Sequence, residues 1–238
     1  MPAICAILGL ASIRHTMFTG LIETTGTVLG LERRSGSERI SIAAPGIRLR
    51  TGDSIAVSGV CLTAVDIDSA AERFHADLAS ETVARTSLAA LVPGAIVNLE
   101  LPTPAGAPLG GHVVQGHVDG TGKLLSLMPV SSGSDLGLTD WRLRIAVPDH
   151  LARYMVEKGS VAIEGISLTI AYSEAHAPEG AVIEIAVIPH TYAHTNLSSL
   201  RAGDPLNIEA DVMLKFAERR RQESSFELTA AYLIENGY

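Results

Sequence analysis

Two stretches of this chain repeat one another in the same order, and this duplication restricts the fold more than any other feature of the sequence. Gly59-Val60-Cys61-Leu62-Thr63 recurs 106 positions later as Gly165-Ile166-Ser167-Leu168-Thr169. Asn98-Leu99-Glu100 recurs 109 positions later as Asn207-Ile208-Glu209. A chain that carries one pattern twice in tandem is expected to fold as two copies of one structural unit.

A third pair fixes where the copies begin. Thr25-Gly26 recurs 96 positions later as Thr121-Gly122. The separation of equivalent residues grows along the chain only at polar, turn-like stretches, where insertions are tolerated. We therefore predict two homologous modules, at residues 17–111 and 112–211.

The period within each module is mostly two, which is typical of β-strands with one buried face. Arg39–Ala43 and Trp141–Val147 alternate clearly between apolar and polar residues. One short helical segment breaks the alternation in each copy, at 82–91 and 191–200. Many short strands with tight turns favour an all-β fold of small antiparallel barrels, because closure removes sheet edges.

The two ends of the chain read differently from the modules. Residues 212–238 are charged, and their spaced apolar positions predict a C-terminal α-helix that packs on another chain. Residues 1–16 are mostly apolar but lack the basic start of a signal peptide. Since Met17 offers a second start, we expect residues 1–16 to be an extension outside the fold.

Composition excludes several classes of function. The net charge of -8 argues against a nucleic-acid groove, which needs clustered cations. Two cysteines form no disulfide framework or zinc motif, which fits a cytoplasmic compartment. No stretch approaches the ~20 apolar residues of a membrane span. His112 and His117 are five apart on an expected strand, so they would face opposite sides and form no metal pair.

The repeated turn is the strongest candidate for chemistry, because it places Cys61 in one copy where Ser167 stands in the other. Taken singly, a cysteine is usually a small buried hydrophobe, and a serine or threonine in a turn usually serves the turn. The recurrence favours a functional interpretation. Two similar pockets would differ chemically, one with a thiol and one with a hydroxyl.

At this level of detail the chain resembles the riboflavin synthase alpha-chain family. The resemblance runs from Met17 to about Arg221 and rests on several motifs in the family order: Met17–Glu23, Gly59–Thr63, Gly110–Asp119, Lys158–Thr169, Pro189–Thr191 and Asn207–Asp211. The resemblance implies two tandem six-stranded Greek-key β-barrels plus a C-terminal α-helix that joins three chains. It implies that two molecules of 6,7-dimethyl-8-ribityllumazine exchange a four-carbon unit, giving riboflavin and a pyrimidinedione.

The same resemblance implies no metal and no organic cofactor, and a cytoplasmic homotrimer with lumazine synthase as a candidate partner. The duplication suits a reaction that uses one substrate in two roles. One short connection cannot readily bring the two pockets of a chain face to face. We therefore expect the working site to form between the first barrel of one chain and the second barrel of a neighbour.

Substrate-binding residues carry over by motif. The first pocket would take Gly20, Leu21, Ile22, Val60, Cys61, Leu62, Thr63, Ala76, Asp77, Leu78, Ala79, Ser80 and Glu81. The second pocket would take Gly116, His117, Val118, Ile166, Ser167, Leu168, Thr169, Ile185, Ala186, Val187, Ile188, Pro189 and His190. Lys158 would reach the pocket of another chain.

Catalytic roles follow as hypotheses. His117 would transfer protons, and Ser167 and Cys61 would each polarise or add to the ring in their own pocket. Phe18 would close the site. Asp211 matches a family position with an assisting role, and its plainer interpretation is a strand-end cap.

One departure from the family pattern stands out: Glu164 occupies a position where relatives usually carry aspartate, so its carboxylate reaches one methylene further. The main alternative to an enzyme is a lumazine- or flavin-binding antenna protein on the same barrels. Such relatives tend to keep one good pocket, whereas both turns and His117 survive here, which favours the enzyme. A third alternative, a purely structural pair of barrels, would bind no ligand.

Overall fold

A computed structural model describes residues 17–34, 37–104, 106–131, 138–176 and 180–224 of the chain. Residues 1–16, the expected extension, lie outside this range. The first half forms one antiparallel sheet in the order β4-β3-β7-β1-β2-β6-β5. Its strands are β1 (Thr24–Arg34), β2 (Ser37–Ala43), β3 (Ser54–Val57), β4 (Val60–Thr63), β5 (Val65–Asp68), β6 (Arg73–Leu78) and β7 (Ile96–Glu100).

This first sheet has seven strands where six were expected, and a single break explains the difference. β4 and β5 lie at opposite ends of the strand order, but only Ala64 separates them along the chain. Ala64 is fully buried and exchanges backbone hydrogen bonds with Gly52 and Asp53 of the preceding loop. One long strand is thus interrupted at Ala64, and chain continuity joins the two ends of the sheet.

The second half closes into a six-stranded barrel, as expected. Its order is β10-β11-β12-β9-β8-β13, and β9 pairs with β12 in Greek-key fashion. The strands are β8 (Gly120–Pro129), β9 (Trp141–Val147), β10 (Ser160–Ile163), β11 (Ile166–His176), β12 (Gly180–Val187) and β13 (Pro205–Ala210). In this barrel the unbroken strand β11 occupies the position that β4 and β5 share in the first half.

The predicted helical segments are present but short. They are α1 (Ser80–Arg85) and α3 (Pro189–His194), each followed by one 3-10 turn. Thr86 and Thr195 cap these turns by accepting a backbone N–H with the side chain. A further helix, α2 (Asp149–Ala152), is not apparent in the sequence pattern. The C-terminal helix is confirmed as α4 (Val212–Ser224), and residues 225–238 lie outside the described residues.

The alternation of apolar and polar residues did not predict two of the strands, although both strands contain the repeated dipeptide. β1 and β8 contain the Gly26 and Gly122 of the repeated Thr-Gly pair. A Cβ at Gly26 would stand 2.7 Å from the carbonyl oxygen of Ala43, and one at Gly122 would stand 2.8 Å from that of Ala146. The glycines recur because the neighbouring strand passes too close for any side chain.

A seam of buried amides joins the two barrels with near twofold symmetry. Asn98 accepts from the backbone N–H of Asn196 and donates to the Glu164 carbonyl, at 2.7 and 2.9 Å. Its counterpart Asn207 accepts from the N–H of Ser87 and donates to the carbonyl of Ser58, at 2.8 and 2.9 Å. These repeated asparagines therefore connect the two modules by hydrogen bonds.

The tips of the two repeated turns meet at this seam. A Cβ at Gly59 would lie 2.6 Å from the backbone nitrogen of Gly165, and the reverse approach is 2.7 Å. Both glycines also have positive φ, at 80° and 78°. The motif turns therefore begin at the contact between the barrels.

Candidate functional site

Each module begins with a segment that leaves its own barrel and lies on the other one. We call residues 17–23 entry segment one and residues 112–119 entry segment two. Phe18 and Val114 pair them through two backbone hydrogen bonds of 2.8 and 3.0 Å. Ile22 packs against the core of the second barrel, and Val118 packs against the core of the first. The segments therefore cross at the seam and exchange barrels.

This exchange brings each entry segment onto the motif turn of the opposite barrel. The N–H of Ser167 donates to the Gly20 carbonyl, and the N–H of Cys61 donates to the Gly116 carbonyl, both at 2.8 Å. Gly20 and Gly116 have φ of 74° and 76°, and a Cβ on either would lie 2.6 Å from the Cβ of Ser167 or Cys61. Only glycine fits both the backbone geometry and the contact.

Two buried carboxylates hold these segments in place. Glu100, at the end of β7, accepts from the N–H and hydroxyl of Thr19 at 2.6 and 2.9 Å and from the N–H of Gly20 at 3.1 Å. Burial raises its pKa, against the lowering effect of these donors. Glu209, at the same register in β13, accepts from the N–H groups of residues 115, 116 and 117 at 2.7, 2.9 and 3.0 Å. Burial raises the pKa of Glu209 to about 7.

A cavity of about 400 Å³ opens beside Cys61, and we call it the Cys61 cavity. It is lined by Val60, Cys61, Glu81, Thr82, Arg85, Thr86, Gly116, His117, Val118 and Asp119. Inside it, Arg85 and Glu81 form an ion pair one helical turn apart on α1. Burial raises the pKa of the Cys61 thiol, so it is protonated at neutral pH and suits hydrogen bonding better than nucleophilic attack.

The Cys61 cavity is tied to the C-terminal helix. Asp119 accepts from the N–H of Ala210 at 2.8 Å, and Lys215 of α4 bonds the same carboxylate at 2.6 and 2.8 Å. In the other repeat Glu23 accepts from the N–H of Leu101 at 2.9 Å, which is the equivalent bond. The helix therefore touches one of the two repeats through a direct ion pair.

The second site forms around Ser167, and we call it the Ser167 site. Nδ1 of His112 lies 2.6 Å from the Ser167 hydroxyl. Burial lowers the pKa of His112, with a smaller opposing effect from the charge of Asp211, so the imidazole is neutral at pH 7. Among the described residues its buried Nε2 has no hydrogen-bond partner. A neutral imidazole against a hydroxyl is an arrangement that general acid–base catalysis can use.

Asp211 lies where β13 ends and α4 begins. Its carboxylate accepts from the N–H of Met213 at 2.9 Å, and its carbonyl accepts from Leu214 and Lys215. It therefore caps the N-terminus of α4 at the junction with β13, whereas the plainer interpretation expected a cap on the end of the strand. Its electrostatic effect on His112 places it near the Ser167 site as well.

Sequence reasoning assigned the entry segments to the wrong turns. It grouped Gly20 with Cys61 and Gly116 with Ser167, whereas the structure places Gly20 on Ser167 and Gly116 on Cys61. His117 accordingly lines the Cys61 cavity, not the Ser167 site. Repeat offsets show which residues are equivalent but not which barrel a connecting segment joins.

Two further expectations differ from the structure. Phe18, expected to close a pocket, is fully buried in a cluster with Ala56, Val114 and Ala162 between the barrels. His112 and His117 lie on irregular backbone, not on a strand, so their five-residue spacing says nothing about faces.

The remaining candidates, apart from Pro189, fall into three groups. One group has side chains buried in the barrels, so only its backbone can face a ligand: Leu62, Ala76, Leu78, Ile166, Leu168, Ile185 and Val187. Another has exposed side chains: Leu21, Thr63, Ala79, Ser80, Thr169, Ala186, Ile188 and His190. Pro189 is half-buried at the start of α3. The third group makes contacts away from both sites: Asp77 forms an ion pair with Arg39, and Glu164 lies in the seam.

Three further candidate positions were not identified from the sequence. Glu100 and Glu209 were visible as repeated residues, and a carboxylate kept in both copies at a strand end was the available signal. His112 was considered only as a metal ligand. Among the described residues no group of three or more metal-binding side chains is found. No described helix has the length and apolar character that a membrane crossing requires.

Comparison with known proteins identifies the class. The family model described as "Lumazine binding domain" matches twice, at residues 19–102 and 115–211. The chain is thus a tandem pair of lumazine-binding domains. The solved structure of LumP complexed with riboflavin superposes with a TM-score of 0.68 at 22% identity, covering 81% of this chain and 98% of that one. LumP complexed with 6,7-dimethyl-8-(1'-D-ribityl) lumazine gives 0.66 at 21% identity, with the same coverage.

Closer relatives narrow the class to one family. The riboflavin synthase of Mycobacterium tuberculosis is 42% identical over 206 residues, which cover 85% of this chain and 97% of the relative. The riboflavin synthase of Bacillus subtilis is 34% identical over 229 residues, covering 93% and 100%. The chain belongs to the riboflavin synthase family.

Proposed function

We propose that this protein catalyses the dismutation of two 6,7-dimethyl-8-ribityllumazine molecules. A four-carbon unit passes from a donor to an acceptor, giving riboflavin and 5-amino-6-ribitylamino-pyrimidinedione. The atoms and electrons of the two substrates balance those of the two products, so the reaction requires no external oxidant. The proposed reaction therefore needs no redox cofactor, and no organic cofactor or metal is part of the proposal.

One observation carries the proposal: the chain holds two equivalent sites that differ in chemistry. The thiol of Cys61 occupies one and the hydroxyl of Ser167 the other, and exposed His117 in entry segment two corresponds to exposed Leu21 in entry segment one. Two copies of one ring system can thus bind in similar sites and take different roles. A simple ligand carrier has no need for this difference.

The Ser167 site is the better candidate for proton transfer from the C7 methyl group of a bound lumazine. Neutral His112 can accept a proton directly or through the Ser167 hydroxyl, since only 2.6 Å separates the two groups. Asp211 would stabilise the imidazolium that results. His117 would assist in the Cys61 cavity, where the protonated Cys61 thiol would polarise the ring by hydrogen bonding.

We propose that the site is completed between chains and that α4 assembles the trimer. Met213 and Phe216 lie three residues apart on this helix with 66% and 61% of their surface exposed. Two large apolar side chains on one exposed face support a contact with another chain. Lys158, held in a left-handed turn with φ of 65°, would reach the neighbouring pocket.

Cellular context is part of the same proposal. Residues 17–111 and 112–211 would each bind one lumazine, and residues 212–238 would serve assembly. The free thiol of Cys61 agrees with a cytoplasmic location. Lumazine synthase stays a candidate partner because it would supply the substrate.

A direct assay separates this proposal from its alternatives. Purified protein is mixed with 6,7-dimethyl-8-ribityllumazine, and the appearance of flavin absorbance and fluorescence is followed. Production of riboflavin and the pyrimidinedione in equal amounts supports the proposal. Tight binding without conversion would make the protein an antenna-type carrier, and no binding at all would leave only a structural role.

A further inference from the structure

Glu100 and Glu209 are almost completely buried, with only 3% of each residue exposed. They occupy the ends of β7 and β13 at the same register. Taking a carboxylate out of water is costly unless donors surround it. Each of the two accepts three hydrogen bonds, and all come from an entry segment. Their donors therefore belong to the segment of each module that lies on the motif turn of the opposite barrel.

Each entry segment, held by its carboxylate, is also hydrogen-bonded to the motif turn of the opposite barrel. Glu100 accepts a hydrogen bond from the N–H of Gly20, and the carbonyl of Gly20 accepts one from the N–H of Ser167. Glu209 accepts a hydrogen bond from the N–H of Gly116, and the carbonyl of Gly116 accepts one from the N–H of Cys61. A single glycine thus separates each carboxylate from the turn of the other module.

We propose that Glu100 and Glu209 are positioning residues that act crosswise. Glu100, in the first repeat, sets the geometry of the Ser167 site in the second repeat. Glu209, in the second repeat, sets the geometry of the Cys61 cavity in the first. Each site therefore depends on a carboxylate from the other module, and neither carboxylate touches the substrate.

Glutamine is the sharpest substitution, because it keeps the shape of glutamate but turns one acceptor into a donor. In Glu100→Gln, if the amide oxygen keeps both Thr19 donors, the new NH₂ group faces the N–H of Gly20. In Glu209→Gln, if the oxygen keeps residues 116 and 117, the NH₂ group faces the N–H of Gln115. Each variant loses one of the three hydrogen bonds, and the two that remain lose the charge of the acceptor, so one entry segment is held less firmly.

Hydrogen exchange of the full-length protein reads the two turns separately. In Glu100→Gln the amide of Ser167 should exchange about tenfold faster, while that of Cys61 is unchanged. In Glu209→Gln the pattern should reverse. Amides of β9 report whether the second barrel is intact. Glu72→Gln is the matched control, because Glu72 accepts from the N–H of Gly46 on an exposed loop outside both sites.

Turnover gives the second measurement, and this arm rests on the proposed function. Both variants should lower kcat about tenfold with KM changed less than about threefold, since geometry and not contact is altered. If a glutamine variant fails to fold, Glu100→Asp and Glu209→Asp keep the charge but shorten the reach, and the same crosswise exchange pattern is expected. Glu72→Gln should retain full turnover.

The outcomes separate cleanly. Faster exchange at the turn of the same repeat, equal effects at both turns, or no effect at either would overturn the crosswise assignment. Unchanged turnover in both glutamine variants of an active enzyme would also overturn it. If the unmodified protein does not convert lumazine, the proposed function fails, while the exchange pattern still decides whether the carboxylates position the two turns.

Discussion

Glu164 connects the stability of the seam to pH. Its side chain accepts from the N–H of Asn207 at 2.7 Å and from the amide of Asn196 at 2.9 Å. Burial raises its pKa from the ordinary value of 4.5 to about 7, although these donors and Ser58 oppose the shift. The counterpart position in the first repeat is Ser58, which carries no charge. The change Glu164→Gln removes the titration and keeps the shape of the side chain.

The sign follows from where the proton binds more tightly. Because the pKa of Glu164 is higher in the folded chain than in the unfolded one, proton binding stabilises the fold. This contribution is complete below pH 4.5 and disappears as the pH rises through 7. A shift of this size corresponds to a loss of about 2–3 kcal/mol of unfolding free energy between pH 5 and pH 8. Glu164→Gln should lack this loss.

The assay compares the two proteins by urea unfolding at pH 5, 6, 7 and 8. Glu209 also titrates with a raised pKa, so the slope of either protein alone is not decisive. The difference between them isolates Glu164, and it should move in favour of the glutamine variant as the pH rises. Glu72→Gln, on an exposed loop, should leave the slope unchanged. A wild-type-minus-variant difference that stays constant within about 0.5 kcal/mol across this range would refute the reasoning.

Three further tests address the sites, and a fourth addresses assembly. Gly116→Ala forces a Cβ to within 2.6 Å of the Cys61 Cβ and should lower turnover at least about tenfold, measured as kcat. His112→Gln should lower kcat about a hundredfold with little change in KM, and a fall below threefold would remove it from proton transfer. The exchanges Cys61→Ser and Ser167→Cys should each impair turnover, and full activity in both would make the thiol–hydroxyl difference irrelevant. A chain that ends at Asp211 should sediment as a smaller species than the full chain; an unchanged sedimentation rate would contradict assembly by α4.

Much of the fold was predictable because alternation and repetition are local signals. The alternating stretch at 141–147 is β9 in the structure, and the repeated turn lies between strands in both halves. β1 and β8 were missed because glycine and polar residues interrupt their alternation. The break at Ala64 was missed because nothing in the residue pattern distinguishes a strand that continues from one that is interrupted.

The candidate site was predictable by residue type more than by arrangement. The repeat drew attention to Cys61 and Ser167, and the family resemblance supplied most of the surrounding residues. Which entry segment meets which turn depends on how two barrels dock, and docking is set by long-range contacts such as those of Asn98 and Asn207. The same limit hid His112, whose importance lies in a contact with a residue 55 positions away.

The seam described above has the form of an isologous interface, in which each half presents the same patch to the other. A single repeat could make these contacts only as a symmetric pair, and each copy would then carry the same residue at every position. Joining the copies in one chain frees each position to change alone. Glu164 opposite Ser58, and Ser167 opposite Cys61, are differences that a symmetric pair cannot hold. The covalent link thus permits one ring system to meet two unlike environments in the same molecule.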